Sequence, residues 1–321
     1  MLYPLAFHPI FKERVWGGRN LERLYRKPLP PKMPIGESWE ITDRPEGVSV
    51  IANGPLAGRD LRWLMENHCQ ELLGKAQTGR FPLLVKILDC QETLSVQVHP
   101  PPKVAAELNG EPKSEMWYIA EASPEACLYV GLKRGVTRDS FEKGIADGAV
   151  AEALYRIDVK AGDAMFLPSG RIHAIGRGNV IFEIQQNSDT TYRVFDWNRK
   201  GLDGKPRALH LRESLASIDF SDYEPELIRS KYSRNPKFAV RYLVHDPPFH
   251  VDACKVKRGE RFYLRSGGLR ILGLLKGRLR VTYGEHEVRG DAGGFIVVPG
   301  SLGRVTVTAE TQVEFLQVQP G

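Results

Sequence analysis

The stretch FPLLVKILDCQETLSVQVHPPP, residues 81–102, contains two short runs with the composition of β-strands. Residues 81–88 are mostly apolar, and residues 95–98 lead into His99 and three prolines that end the second run. Similar runs, rich in β-branched or aromatic residues and mostly bounded by Gly, Pro, Asp or Asn, lie at residues 116–119, 126–130, 164–167, 180–185, 269–275, 279–283, 294–298 and 305–308. Many short strands without regularly alternating helices predict a mainly β fold, either a sandwich or a barrel.

A few helices interrupt this pattern. Helical spacing of apolar residues predicts helices at residues 60–73, 137–155 and 209–218, with the second broken near Gly148. A polar, charged segment at residues 219–236 is the expected boundary, which gives domains at residues 1–225 and 226–321.

Two segments suggest an internal duplication. VKAGDAMFLPSGRIH (residues 159–173) and VRGDAGGFIVVPGSLGR (residues 288–304) both pass from a strand through a Gly-Asp turn into an apolar strand that ends at proline. Two unrelated hairpins with the same turn chemistry are the alternative. The second segment has no histidine in place of His173, so we expect chemistry in the first domain only.

Composition excludes several classes of function. The chain carries 45 Lys and Arg against 39 Asp and Glu, and these are dispersed, so no basic stripe for nucleic acid is present. No apolar run is long enough to span a membrane, and charge and proline interrupt the N-terminus before a signal sequence develops. The four cysteines form no CxxC pair. We therefore expect a cytoplasmic protein without nucleic-acid or membrane partners.

The segment SVQVHPPP indicates a metal site. Side chains two positions apart on a strand share a face, so Gln97 and His99 should project together. Glu115 opens the next apolar strand, and His173 follows another. This nitrogen and oxygen set suits zinc, or manganese, iron or cobalt, and its lack of thiolate favours a catalytic over a structural site. Taken singly, each histidine is better explained by ordinary hydrogen bonding, and Glu115 could pair with Lys113; only the spacing of the whole set puts the metal interpretation on an equal footing.

Five segments in order carry a family resemblance. They are GESWEIT (residues 36–42), QVHPPP (97–102), KSEMWYIA (113–120), PSGRIHAIG (168–176) and EIQQNSDTTYRVFDW (183–197). They resemble compact bacterial type I mannose-6-phosphate isomerases of the cupin superfamily, across about the first two hundred residues. The resemblance implies two cupin-like (jelly-roll) β-barrel domains with a few attached helices, the second without metal ligands. It also implies one Zn²⁺ per chain, held by Gln97, His99, Glu115 and His173.

The resemblance further implies five catalytic or pocket residues, namely Arg193, Asp189, Glu183, Lys86 and Lys113. Three of them have a structural alternative: an ion pair for Glu183, a turn for Asp189, and a snorkelling or paired side chain for Lys86. The implied reaction interconverts mannose 6-phosphate and fructose 6-phosphate through an enediol, which needs a base, a stabiliser of negative charge and a phosphate anchor. Lys113, Glu183, Asp189 and a water on the metal all remain candidates for the base.

Two other classes of protein compete with this interpretation. A non-catalytic cupin that binds sugars or regulates would keep the fold, but it has no need of both the metal ligands and Arg193. A cupin oxygenase typically uses more histidines. We expect a sugar phosphate as the small-molecule partner, and a monomer or weak dimer.

Overall fold

Short antiparallel strands make up most of the molecule. A computed structural model describes residues 1–75, 79–265 and 267–321. The first part of the chain forms β1 (Ile10–Gly18), β2 (Ile35–Ile41), β3 (Asp43–Arg44), β4 (Gly47–Val48), β5 (Leu83–Cys90), β6 (Val96–Val98), β7 (Glu115–Ala122), β8 (Cys127–Leu132), β9 (Leu154–Asp158), β10 (Ala164–Leu167), β11 (His173–Ile175), β12 (Asn179–Gln186) and β13 (Tyr192–Phe195). The rest forms β14 (Phe238–Asp246), β15 (Phe249–Val256), β16 (Arg261–Leu264), β17 (Arg270–Lys276), β18 (Arg278–Tyr283), β19 (His286–Asp291), β20 (Phe295–Val298), β21 (Val305–Ala309) and β22 (Val313–Pro320). The prediction of a mainly β fold is confirmed.

Six helices connect the strands. They are α1 (Asn20–Tyr25), α2 (Leu61–Leu73), α3 (Pro102–Ala105), α4 (Arg138–Ala146), α5 (Val150–Ala153) and α6 (Leu211–Ser217). The Asp60 side chain caps α2 by accepting a hydrogen bond from Trp63 N, and Gly74 ends it at a φ of +79°. The helix predicted to reach residue 155 ends earlier, because β9 begins at Leu154.

The sheets repeat one strand order. A six-stranded sheet runs β1-β2-β5-β12-β7-β10 and faces a five-stranded sheet, β13-β6-β11-β8-β9. The later strands form β14-β15-β22-β17-β20 and β16-β21-β18-β19. From β2 and β6 onward these orders correspond strand by strand to the first pair, so the topology supports a duplicated unit. No sheet closes on itself into a barrel within residues 1–75, 79–265 and 267–321.

The six-stranded sheet is buried on both faces. On β12, Phe182 points to the main hydrophobic core shared with the C-terminal strands, whereas Glu183 lines a cavity on the other side. On β5, Ile87 likewise points to the main core and Lys86 lines the cavity. Alternation along these strands therefore sets polar side chains on one face and core residues on the other.

The main core crosses the boundary predicted from the sequence. Phe182 packs against Phe295 of β20, with ring centroids 5.5 Å apart, and Leu5 pairs with Val297 through two backbone hydrogen bonds of 2.8 Å. Residues 196–237 contain α6 but no strand beyond isolated bridges, as expected for a connection. The six-stranded sheet and the two C-terminal sheets thus share one core. Among the described residues, no helix combines the length and apolar character needed to cross a membrane.

Candidate metal centre and active site

The facing sheets bring the four sequence-predicted metal ligands together. Gln97 lies on β6, directly opposite His173 at the start of β11, and His99 follows β6 on the face that Gln97 occupies. Glu115 opens β7 in the six-stranded sheet. One ligand atom from each of His99, Glu115 and His173 lies within 4.8 Å of the others, and the Gln97 amide nitrogen is 3.3 Å from His173 Nε2.

Backbone carbonyls hold both imidazoles. His99 Nδ1 lies 2.8 Å from the Thr190 carbonyl oxygen, and His173 Nδ1 lies 2.9 Å from that of Arg171. Donation from both Nδ1 atoms leaves the Nε2 atoms to face the centre, as in histidines that ligate metals.

Three buried atoms at this centre lack a well-directed hydrogen bond within the described residues. They are His99 Nε2 and both carboxylate oxygens of Glu115. Glu115 Oε1 does lie 2.7 Å from Lys113 Nζ and 3.2 Å from His99 Nε2. Buried polar atoms normally find well-directed partners, so the convergence of His99, Glu115 and His173 here fits a site for a cation.

Burial and charge set the protonation states that a metal requires. Burial, followed by the neighbouring His99, lowers the pKa of His173 to about 3, and burial also lowers the pKa of His99. Burial alone would raise the pKa of Glu115, but Lys113 and then His99 hold it well below its usual range. Neutral imidazoles and an ionised carboxylate are the forms that bind a metal.

A cavity of about 600 Å³ opens beside this centre. Its lining includes Gln97 and all five predicted catalytic residues, namely Lys86, Lys113, Glu183, Asp189 and Arg193. His99, Glu115 and His173 are each at most 1% exposed and lie behind this lining. The structure therefore places every residue of the sequence prediction at one site.

Lys86 and Glu183 form part of a buried charge row. They are register partners on β5 and β12, with Lys86 Nζ 3.4 Å from Glu183 Oε1 and 3.8 Å from Glu37 Oε2. Burial opposes the charge of Lys86, but Glu37 and then Glu183 raise its pKa. Burial, with Glu115 next, raises the pKa of Glu183 to about 7. Trp117 Nε1 donates to Glu183 Oε2 at 2.9 Å.

Arg193 and Asp189 also line the cavity. Arg193, on β13, is the register partner of Gln97 and donates from Nη1 to the Ala208 carbonyl oxygen at 2.8 Å. Its Nε is buried without a partner among the described residues. Burial and then the Arg207 charge lower the pKa of Arg193. Asp189 is exposed.

Sequence reasoning missed Glu37, the residue that balances this charge row. Glu37 lies on β2, where Arg14 Nε contacts its Oε1 at 2.7 Å and Trp39 Nε1 donates to its Oε2 at 2.6 Å. Burial opposes ionisation, but Lys86 and then Arg14 lower its pKa to about 2. The motif GESWEIT contained Glu37, yet only the pairing of β2 with β5, where Glu37 lies opposite Leu88, brings its carboxylate to 3.8 Å from Lys86 Nζ.

Trp16 and Arg207 were also missed as cavity residues. Trp16 is 4% exposed and packs in a core cluster, and it also lines the cavity. Arg207 lies in the connection after β13, in a segment without a recognisable motif. No sequence signal marked Arg207.

Comparison with known proteins gives consistent matches. A family model for the catalytic domain of phosphomannose isomerase type I matches residues 5–130. The mannose-6-phosphate isomerase ManA of Bacillus subtilis is 36% identical over 302 residues, and the mannose-6-phosphate isomerase of Streptococcus mutans is 34% identical over 303; both alignments cover 94% of each chain. The crystal structure of the mannose 6-phosphate isomerase from Bacillus subtilis matches with a TM-score of 0.90, at 28% identity and 99% coverage of each chain.

Proposed function

Because the chain belongs to the mannose-6-phosphate isomerase family, we propose that it interconverts mannose 6-phosphate and fructose 6-phosphate with one bound divalent metal ion. Family membership makes the chain a sugar phosphate isomerase. The metal, the enediol route and the role of each residue are the content of the proposal.

The buried ligand atoms of His99 and Glu115, which converge with one of His173 to within 4.8 Å, carry the metal assignment. Together with His173 and Gln97 they offer two nitrogens, a carboxylate and an amide that can present its oxygen, a donor set that fits zinc. The Gln97 amide needs only the orientation that places its oxygen toward the centre. A bound divalent ion would supply Lewis-acid polarisation of the sugar carbonyl.

Glu183 is the proposed proton carrier between C1 and C2. Its carboxylate lines the cavity, and a pKa of about 7 lets it accept a proton and return it near neutral pH. Lys113 is committed to Glu115 at 2.7 Å, so its role is to hold that carboxylate. Asp189 is exposed and serves binding at the rim rather than proton transfer.

Arg193 and Lys86 provide positive charge. Among the described residues, Arg193 forms no ion pair with a carboxylate, so its guanidinium remains available to the oxygen anion of the enediol. Lys86 contacts both Glu183 and Glu37, and it stabilises the ionised form of Glu183 after the proton is returned.

The fold is proposed to comprise two jelly-roll units of the cupin type, at residues 1–225 and 226–321. The matching strand orders support this division. Within the second unit the positions between the sheets are filled by apolar side chains such as Val281, Val307 and Phe315, which leaves the metal chemistry to the first.

A coupled assay tests the proposed function. Fructose 6-phosphate formation from mannose 6-phosphate is measured on the protein as purified, after chelation, and after zinc is added back. We expect activity to disappear with the metal and return with zinc. A folded, zinc-loaded protein without turnover contradicts the isomerase assignment and favours a non-catalytic sugar-binding protein. Full activity after verified metal removal contradicts the metal role alone.

A further inference from the structure

Three arginines surround one carboxylate beside the cavity. Arg207 donates to both oxygens of Asp196, from Nε at 2.7 Å and from Nη2 at 2.5 Å. Arg199 Nη2 donates to Asp196 Oδ1 at 2.7 Å. Arg193 lies close enough to Arg207 for the second charge to lower the pKa of the first, after burial. We call Arg193, Arg199, Arg207 and Asp196 the arginine cluster.

Three guanidinium groups face two carboxylates, because Arg199 contacts Glu92 at 3.6 Å as well as Asp196, so the surplus of one positive charge lies with Arg193 and Arg207. The other cations that line the cavity are matched: Arg14 contacts Glu37, Lys86 contacts Glu37 and Glu183, and Lys113 contacts Glu115. A phosphate monoester carries about −1.5 to −2 at pH 7. Its charge therefore complements the arginine cluster.

The remaining acidic side chains of the cavity lining do not neutralise the cluster. Burial lowers the pKa of Arg14 and of Lys86, but Glu37 raises both, and Asp189 adds a smaller increase, so Asp189 lies on their side of the cavity. Asp203 accepts a hydrogen bond from Lys205 N within its own loop. Glu13 is on β1, in the opposite sheet.

Donors remain available in the cluster. Arg193 Nε is buried without a partner, and Arg207 Nη1 has none among the described residues, since Asp196 takes Nε and Nη2. The ion pair with Asp196 restricts the Arg207 guanidinium, which reduces the conformational entropy lost when an oxyanion binds. Arg207 lines the cavity, as do Gly201, Leu202 and Asp203 of the same loop, whereas Arg199 does not.

We propose that Arg207 anchors the phosphate group of the substrate and sets the preference for a phosphorylated over an unphosphorylated sugar. The proposal rests on the proposed function, because it takes the cavity to be the substrate site. Arg193, adjacent to Gln97, contributes its charge from the metal side of the same anion. Arg207 is thus a specificity-determining residue, and it takes no part in proton transfer.

Arg207→Gln and Arg199→Gln form a matched pair, since both remove a guanidinium from Asp196 and only one removes it from the cavity. Binding of inorganic phosphate to zinc-loaded protein is measured by calorimetry, and KM and kcat are measured with mannose 6-phosphate. We expect Arg207→Gln to weaken phosphate binding and raise KM by roughly tenfold to a hundredfold. Its kcat should change less than threefold, and Arg199→Gln should alter neither quantity by more than threefold.

Equal losses in the two variants would overturn the proposal, because they would show that Arg207 acts through Asp196 and the loop. Phosphate binding unchanged in a folded Arg207→Gln protein would also overturn it. Arg207→Lys keeps the positive charge but not the planar guanidinium, so its loss of phosphate binding should be intermediate. Should wild-type protein bind phosphate through Arg207 without isomerising the sugar, the proposed function fails while the anion site stands.

Discussion

Replacing Glu37 by glutamine tests the buried charge row that the sequence did not reveal. Lys86 and Arg14 hold the pKa of Glu37 at about 2 against an ordinary 4.5. One pKa unit corresponds to about 1.4 kcal/mol, so the ionised carboxylate contributes roughly 3 kcal/mol to stability at neutral pH. Glutamine keeps the shape and loses the charge. We expect Glu37→Gln to lower the free energy of unfolding by about 2 to 3 kcal/mol at pH 7.

The pH dependence of this loss follows from the sign of the pKa change. A carboxyl group with a lowered pKa stabilises the fold fully above its unfolded value of 4.5, and this contribution disappears as the pH falls toward about 2. The difference between wild type and Glu37→Gln should therefore be constant above about pH 6 and shrink by about half by pH 3.

Urea unfolding of metal-free protein, followed by tryptophan fluorescence between pH 7 and pH 3, measures this difference. Glu22→Gln is the matched control, because Glu22 pairs with Arg19 at 2.7 Å but its side chain is 51% exposed. An exposed pair should contribute less than about 0.5 kcal/mol. A loss below about 1 kcal/mol for Glu37→Gln at pH 7, or one that does not vary with pH, would refute the reasoning.

Three further predictions concern the site directly. His99→Ala should lose zinc on dialysis while His286→Ala retains it, as measured by elemental analysis; equal retention would remove His99 from the ligand set. Arg193→Ala should keep its zinc and lose turnover by about a hundredfold or more, and comparable zinc loss would instead give Arg193 a structural role. Trp117→Phe removes a hydrogen bond to ionised Glu183, so the pKa of Glu183 should rise and the acidic limb of the kcat profile should move up by ~0.5 pH unit or more. An unmoved acidic limb in a folded, zinc-loaded Trp117→Phe protein would exclude Glu183 as the proton carrier.

Local sequence signals predicted helix ends and strands that depend on neighbouring residues in the chain. Asp60 and Gly74 bound α2 as expected, and Thr137 caps α4 through a reciprocal pair with Ser140. The run at residues 164–167 coincides with β10. By contrast, β14 and β15 were missed: exposed or charged residues such as Arg241, Tyr242 and Asp252 interrupt their apolar pattern.

The site residues also fall into two groups, those that local sequence marked and those that it did not. Strand parity placed Gln97 and His99 on one face, and the ordered motifs contributed Glu115, His173 and Arg193. Contacts that depend on sheet register had no local signal. Glu37 lies 49 positions before Lys86 in the chain, and its relevance appears only when β2 pairs with β5. Arg207 is positioned by an ion pair with Asp196 in an irregular connection, where no periodicity exists to interpret.

The packing of the six-stranded sheet against the C-terminal strands limits how far this enzyme can be truncated. Phe182 and Glu183 are consecutive on β12, so the ring that rests on Phe295 and the carboxylate in the cavity share one stretch of backbone. None of the proposed metal ligands lies on strands β14 to β22, yet these strands pack against the six-stranded sheet that bears Glu115. Trimming them would expose that face to water and loosen the spacing of the groups opposite. We therefore expect removal of these strands to abolish activity, although the described residues that line the cavity all lie at or before Arg207.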